Sequence, residues 1–171
     1  MRYSYSVLVA CALLMPIAAG CGVCIESPAP TSTASIDGRA FQLSTEPAAS
    51  IGVMHLKETA QDGDAVNLVG RIGGGQKPWI DGRAAFLLVD DGVAPTCRDE
   101  ECGDDCAECA AALAEATTLV KFVDAQGKVL AADARTLLGV EDFQTVVVQG
   151  IARKDAAGNV NVVADGIYIR R

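Results

Sequence analysis

Residues 65–73 read AVNLVGRIG: apolar and polar residues alternate, and a glycine stands in the middle. Alternation with period two marks a strand with one buried face, whereas a helix repeats its apolar positions every three to four residues. Glycine brings no side chain to a strand, so Gly70 inside this pattern predicts a bulge or a sharp bend. RAAFLLVDD, 83–91, reads as a second strand ending in an Asp91-Gly92 turn. TLVKFVDAQGKVL, 118–130, reads as a strand, a turn at Gln126-Gly127 and a short continuation. Residues 131–138 suit a short helix stopped by Gly139. QTVVVQGIARKD, 144–155, and NVNVVADGIYIR, 159–170, form a hairpin across 156–158. Upstream, IDGRAFQL, 36–43, suits a short strand or a docked arm. A helix is expected over 46–59, with Pro47 in its first turn, Ile51, Met54 and Leu56 roughly on one face, and QDGD as its stop. The tetrapeptide Asp-Gly-Arg-Ala occurs at 37 and 81, too short to mark an internal repeat.

From residue 64 the order is strand, strand, insertion, strand, short helix, strand, strand. On Val66-Asn67-Leu68-Val69-Gly70-Arg71-Ile72, Ala84 to Asp90 and Val146-Val147-Val148-Gln149-Gly150, the chain resembles an OB-fold. It is also similar to OB-like domains of small bacterial envelope lipoproteins of unknown function. The resemblance implies a mainly β fold over 64–171: a small five-stranded Greek-key barrel with one or two short helices. A cysteine-rich insertion, 92–117, would lie between strands 2 and 3. The first strand of such a barrel is long and bent, so that it pairs into both halves, and Gly70 lies where that bend belongs. Half of the residues are apolar, and closure removes the strand edges that invite aggregation. An open β-sandwich is the alternative for short strands with turn signals.

The chain begins MRYSYSVLVACALLMPIAAGCGVC. Arg2 gives a positive start, and the apolar run from Val7 to Ala19 has signal-peptide length and is short for a membrane span. Ala18-Ala19-Gly20-Cys21 resembles a lipobox, with Ala18 where leucine is usual. Residues 1–20 then form a signal peptide of lipoprotein type and Cys21 carries the lipid. Plain secretion with cleavage near Gly20 is the alternative. Ser27 to Ser35, SPAPTSTAS, completes a tether over 21–35, and 36–63 form the arm and helix ahead of the barrel. Cys24 has no partner close in sequence. The expected location is extracytoplasmic, on the envelope of a bacterium. Arg2 is the one charge ahead of Cys21, so its removal takes the net charge from -8 to -9. An acidic chain with 5% aromatic residues is poorly suited to nucleic-acid phosphates. Anionic lipid headgroups repel it too, so membrane attachment would rest on the lipid alone.

Cys97, Cys102, Cys106 and Cys109 follow the spacing C-x4-C-x3-C-x2-C. Disulfides come first, because exported cysteines in even number usually pair, and four allow three connectivities. Zinc comes second: four thiolates close a tetrahedral site. Eight acidic residues from Asp90 to Glu108 attract a divalent cation but also oppose thiolate formation. Thiol–disulfide exchange at Cys106-Ala107-Glu108-Cys109, opening a helix predicted over 107–116, comes third. Ala110 stands where a haem-attachment motif needs histidine.

Gly73-Gly74-Gly75-Gln76-Lys77-Pro78-Trp79 links the first two strands. OB-folds bind ligands with this loop, so Lys77, Trp79 and Arg83 are candidate ligand-binding residues, Trp79 stacking on a ring. The competing expectation is that Trp79 plugs the barrel. His55, the single histidine, has no nucleophile placed near it, and Asp90-Asp91 and Asp104-Asp105 are expected to be solvated carboxylates. These features point to a non-catalytic binding or assembly module whose partner is a protein, peptide or glycan. No cofactor is expected apart from zinc in the alternative reading. The sole enzymatic reading is exchange at Cys106 and Cys109.

Overall fold

The computed structural model describes residues 36–75, 77–93 and 107–171, with the backbone alone for 107–109. Five strands form a closed barrel: β1 (Ala65–Ile72), β2 (Ala85–Val89), β3 (Thr117–Phe122), β4 (Thr145–Lys154) and β5 (Val160–Ile169). Their order is β1-β2-β3-β5-β4, with β4 returning to β1. Neighbours are antiparallel except β3 and β5, which run parallel from Leu119↔Asn161 to Phe122↔Ala164. The fold is therefore the OB-like barrel and not an open sandwich. Among the described residues three α-helices accompany it: α1 (Val53–Thr59), α2 (Ala107–Ala116) between β2 and β3, and α3 (Ala134–Leu138) between β3 and β4. None of these is long and apolar enough to cross a membrane. Of the cysteine-rich insertion expected over 92–117, residues 94–106 lie outside the described residues.

β1 divides its hydrogen bonds as its sequence foretells. Residues 65–71 pair with β4, and Arg71 and Ile72 pair with β2. Pairing with β2 continues past the strand end, where Leu87 N–H donates to Pro78 O at 2.7 Å and Ile80 N–H to Ala85 O at 3.1 Å. Gly70 stands at the hand-over. A Cβ there would lie 2.7 Å from Val89 O and 2.9 Å from Leu88 Cγ. Only a residue without a side chain lets the strands cross so closely.

The inward residues are fully buried, among them Leu68, Ile72, Phe86, Leu88, Val120, Phe122, Val146, Val148, Val162 and Ile167. Each such side chain contributes roughly 1.5–3 kcal/mol through removal from water. α1 adds Val53 and Leu56 to this core, and α3 adds Ala134 and Leu138. Phe41 of the N-terminal arm meets Phe122 edge-on, ring centroids 5.1 Å apart.

The arm and first helix differ from the sequence expectation. Residues 38–41 form a single 3-10 turn capped by Asp37, and Gln42 then bridges Ile167 in parallel. The helix expected over 46–59 begins only at Val53. Ile51 instead bridges Leu68 of β1, donating to Asn67 O at 2.8 Å and accepting from Val69 N–H at 2.9 Å. Along this stretch β1 has backbone groups that β2 does not reach, and pairing them outweighs helix propensity. Met54, expected to share a face with Ile51 and Leu56, is exposed, while Val53 and Leu56 are buried.

Candidate functional site

The loop after β1 brings Trp79 beside β2, where it bridges Phe86. Trp79 is half-buried against the core, its ring 5.8 Å from that of Phe86. The indole N–H donates to Asp142 Oδ1 at 2.8 Å. The Arg135 guanidinium lies over the indole, 5.5 Å from the ring centroid, within range of a cation–π attraction. Arg135 is held in turn by Asp133, with Nε to Oδ1 at 2.9 Å and Nη2 to Oδ2 at 2.6 Å. Asp133 also caps α3 by accepting from Arg135 N–H. The side-chain hydrogen bond from Arg135 lowers the Asp133 carboxyl to about 2. The Arg135 guanidinium is held protonated by Asp133 first, with Asp81 and Asp142 adding to the field.

Two large apolar residues adjoin the ends of the Trp79–Asp142 hydrogen bond. Ile80 is 42% exposed and Phe143 is 52% exposed. Phe143 has φ 66°, with its N–H donating to Ile72 O at 3.0 Å. A bulky residue in the left-handed region is strained, and such strain gathers at functional sites.

Of the three ligand-binding candidates, Trp79 joins this cluster, while Lys77 and Arg83 are exposed on the loop on either side. The cation over the indole is Arg135. Arg135, Asp142 and Phe143 escaped the sequence reading because they come from the segment between β3 and β4, more than 50 residues after Trp79. The single signal was local: an aspartate two residues ahead of an arginine at a helix start, which orients the guanidinium.

The remaining candidates have structural surroundings. His55 is exposed on α1. Asp90, expected to be solvated, caps α1: Oδ2 accepts from Met54 N–H at 3.2 Å and Oδ1 from Gly92 N–H at 3.1 Å. The N-cap residue of α1, Gly52, has no side chain to do this. Lys57 Nζ donates to Ala114 O and Glu115 O, both at 2.9 Å, neutralising the C-terminal end of α2. Burial there lowers the Lys57 pKa, with Glu115 opposing the shift.

Cys21, Cys24, Cys97, Cys102 and Cys106, with Asp104 and Asp105, lie outside the described residues. Cys109 falls on the first turns of α2, where the backbone alone is described. The helix predicted over 107–116 is present. Among the described residues no three His, Cys, Asp or Glu side chains gather as a metal site. Comparison with protein families, characterised proteins and solved structures gave no match.

Proposed function

We propose that the chain is a non-catalytic binding or assembly module, held at a bacterial envelope by a lipid on Cys21. Its partner is a protein or peptide taken up beside Trp79. The lipobox-like residues ahead of Cys21 support the anchoring. The binding reading rests on one observation: Phe143 presents an aromatic ring at the surface from a strained backbone, φ 66° and 52% exposed. Its neighbour Asp142 holds the indole of Trp79, which lies under an arginine and is followed in sequence by the exposed Ile80. Aromatic residues and arginine, with apolar contacts around them, dominate the energetics of protein interfaces. The rigid barrel beneath them keeps the ordering cost of binding low.

The test is site-specific crosslinking in living cells, with a photoreactive residue at position 80 and a control at Lys128. A single adduct of constant mass from position 80, lost with Phe143→Ala, is the expected result. Identical adducts from both positions, or none from position 80, would overturn the proposal.

A further inference from the structure

A second surface adjoins the Trp79 cluster at Gln144, the residue after Phe143. Where the arm crosses the end of β5 there is a cleft of about 720 Å³, lined by residues of 42–44, Gly139, Gln144 and 167–171. Volumes of 300–1,000 Å³ are typical of small-ligand sites. The arm makes one wall because Leu43 N–H donates to Ile167 O at 2.8 Å. Gln42 is fixed there by its amide nitrogen, which donates to Leu138 O at 3.0 Å.

The chemistry of the lining is one-sided. In a chain of net charge -8, no Asp or Glu is among the described residues lining this cleft, whereas Arg170 and Arg171 both are. Arg170 is committed: Nε donates to Glu46 Oε1 at 3.0 Å, and Glu46 holds the guanidinium protonated, with Asp91 contributing. Among the described residues, four side-chain donors on the lining have no hydrogen-bond acceptor in the protein: the Ser44 hydroxyl, the Gln144 side-chain nitrogen, the Tyr168 hydroxyl, which adds to the field on Arg170, and the Arg171 guanidinium. Gln144 spends only its oxygen, accepting from Glu141 N–H at 2.9 Å. Leu43, Ile167 and Ile169 give the same cleft apolar surface.

We propose that this cleft binds a short carboxylated oligosaccharide. Arg171 pairs with the carboxylate, for which a planar guanidinium is suited. Ser44, Gln144 and Tyr168 serve the sugar hydroxyls and ring oxygens. The apolar residues take the C–H face of a sugar ring. Neither Trp79 nor the cysteine segment is involved, so failure of the protein-partner proposal leaves this one standing.

The experiment is calorimetric titration of the full chain, solubilised in detergent, with trigalacturonate, maltotriose and sodium phosphate. Trigalacturonate should bind, and maltotriose at least tenfold more weakly. Arg171→Gln should weaken trigalacturonate by roughly tenfold, as expected for loss of a charge-assisted hydrogen bond at a partly open site. Tyr168→Phe should weaken both sugars by a few-fold, and Lys128→Ala should change neither. Equal binding of the two trisaccharides would overturn the proposal, as would full competition by equimolar phosphate. No binding of trigalacturonate, or no effect of Arg171→Gln, would overturn it too.

Discussion

Replacing Gly70 by alanine tests how the barrel closes. The new methyl would lie 2.7 Å from Val89 O, a backbone atom of β2, and 2.9 Å from Leu88 Cγ. Val89 is paired with both Arg71 and Thr117, so its carbonyl is not free to retreat. Opening the crossing by several tenths of an ångström overpacks a fully buried region, at a cost of about 2 kcal/mol. That is roughly a thirtyfold loss in the folding constant, or about 6–10 °C in melting temperature for a domain of this size. Two glycines on the following loop serve as internal controls. Gly82 has φ 66° and open space around its Cβ position, so Gly82→Ala carries only the left-handed strain, about 1 kcal/mol. Gly75 has open space without a positive φ, so Gly75→Ala should cost nothing measurable. Urea denaturation, read by far-UV circular dichroism, should rank the variants Gly70 worst, Gly82 next and Gly75 near wild type. Equal stability of Gly70→Ala and Gly75→Ala would refute the argument, because β1 would then not pass so close to Val89.

Further outcomes follow from the same geometry. Asp90→Ala should cost about 1 kcal/mol by uncapping α1, and Asp90→Asn less, measured by the same denaturation. Asp142→Ala leaves the indole N–H of Trp79 without its partner, so the emission of this single tryptophan should shift to the red, at a cost of about 1–2 kcal/mol. The Asp133 carboxyl, held at about 2 by Arg135, should titrate well below an ordinary aspartate by NMR and return to the ordinary range in Arg135→Gln. Because the folded value lies below the unfolded one, this pair's stabilisation is present above pH ~4 and fades as pH falls through ~2. It is small, since the pair is solvent-exposed. Phe143→Gly should raise stability by about 1 kcal/mol through relief of its positive φ while abolishing the crosslink from position 80; loss of both would sink the binding role.

Much of the fold was legible because it depends on local pattern. Alternation located β1, apolar runs bounded by turn signals located the other four strands, Gly139 ended α3, and Gly70 announced the bend. Reading failed where tertiary contacts decide. Pro47 and the spacing of Ile51, Met54 and Leu56 suggested one helix, yet Ile51 is drawn out of it by the open edge of β1. Nothing local says that Asp90 will cap a helix 36 residues earlier. Trp79 was legible as a lone tryptophan on a loop. Its surroundings, Arg135 and Asp142, were not, since both arrive on the segment after β3. The cleft beside Tyr168 was equally hidden, because a parallel bridge between the arm and β5 builds it.

The closed barrel underlies both binding surfaces, and the parallel pairing of β3 with β5 is one of the contacts that close it. Cross-strand nuclear Overhauser contacts between Val120 and Val162, with slow amide exchange along both strands, are the most direct measurement. The account predicts that these contacts are present and that neither strand exchanges as an edge. Their absence, with fast exchange along one side of β3, would mean an open sheet and would contradict it.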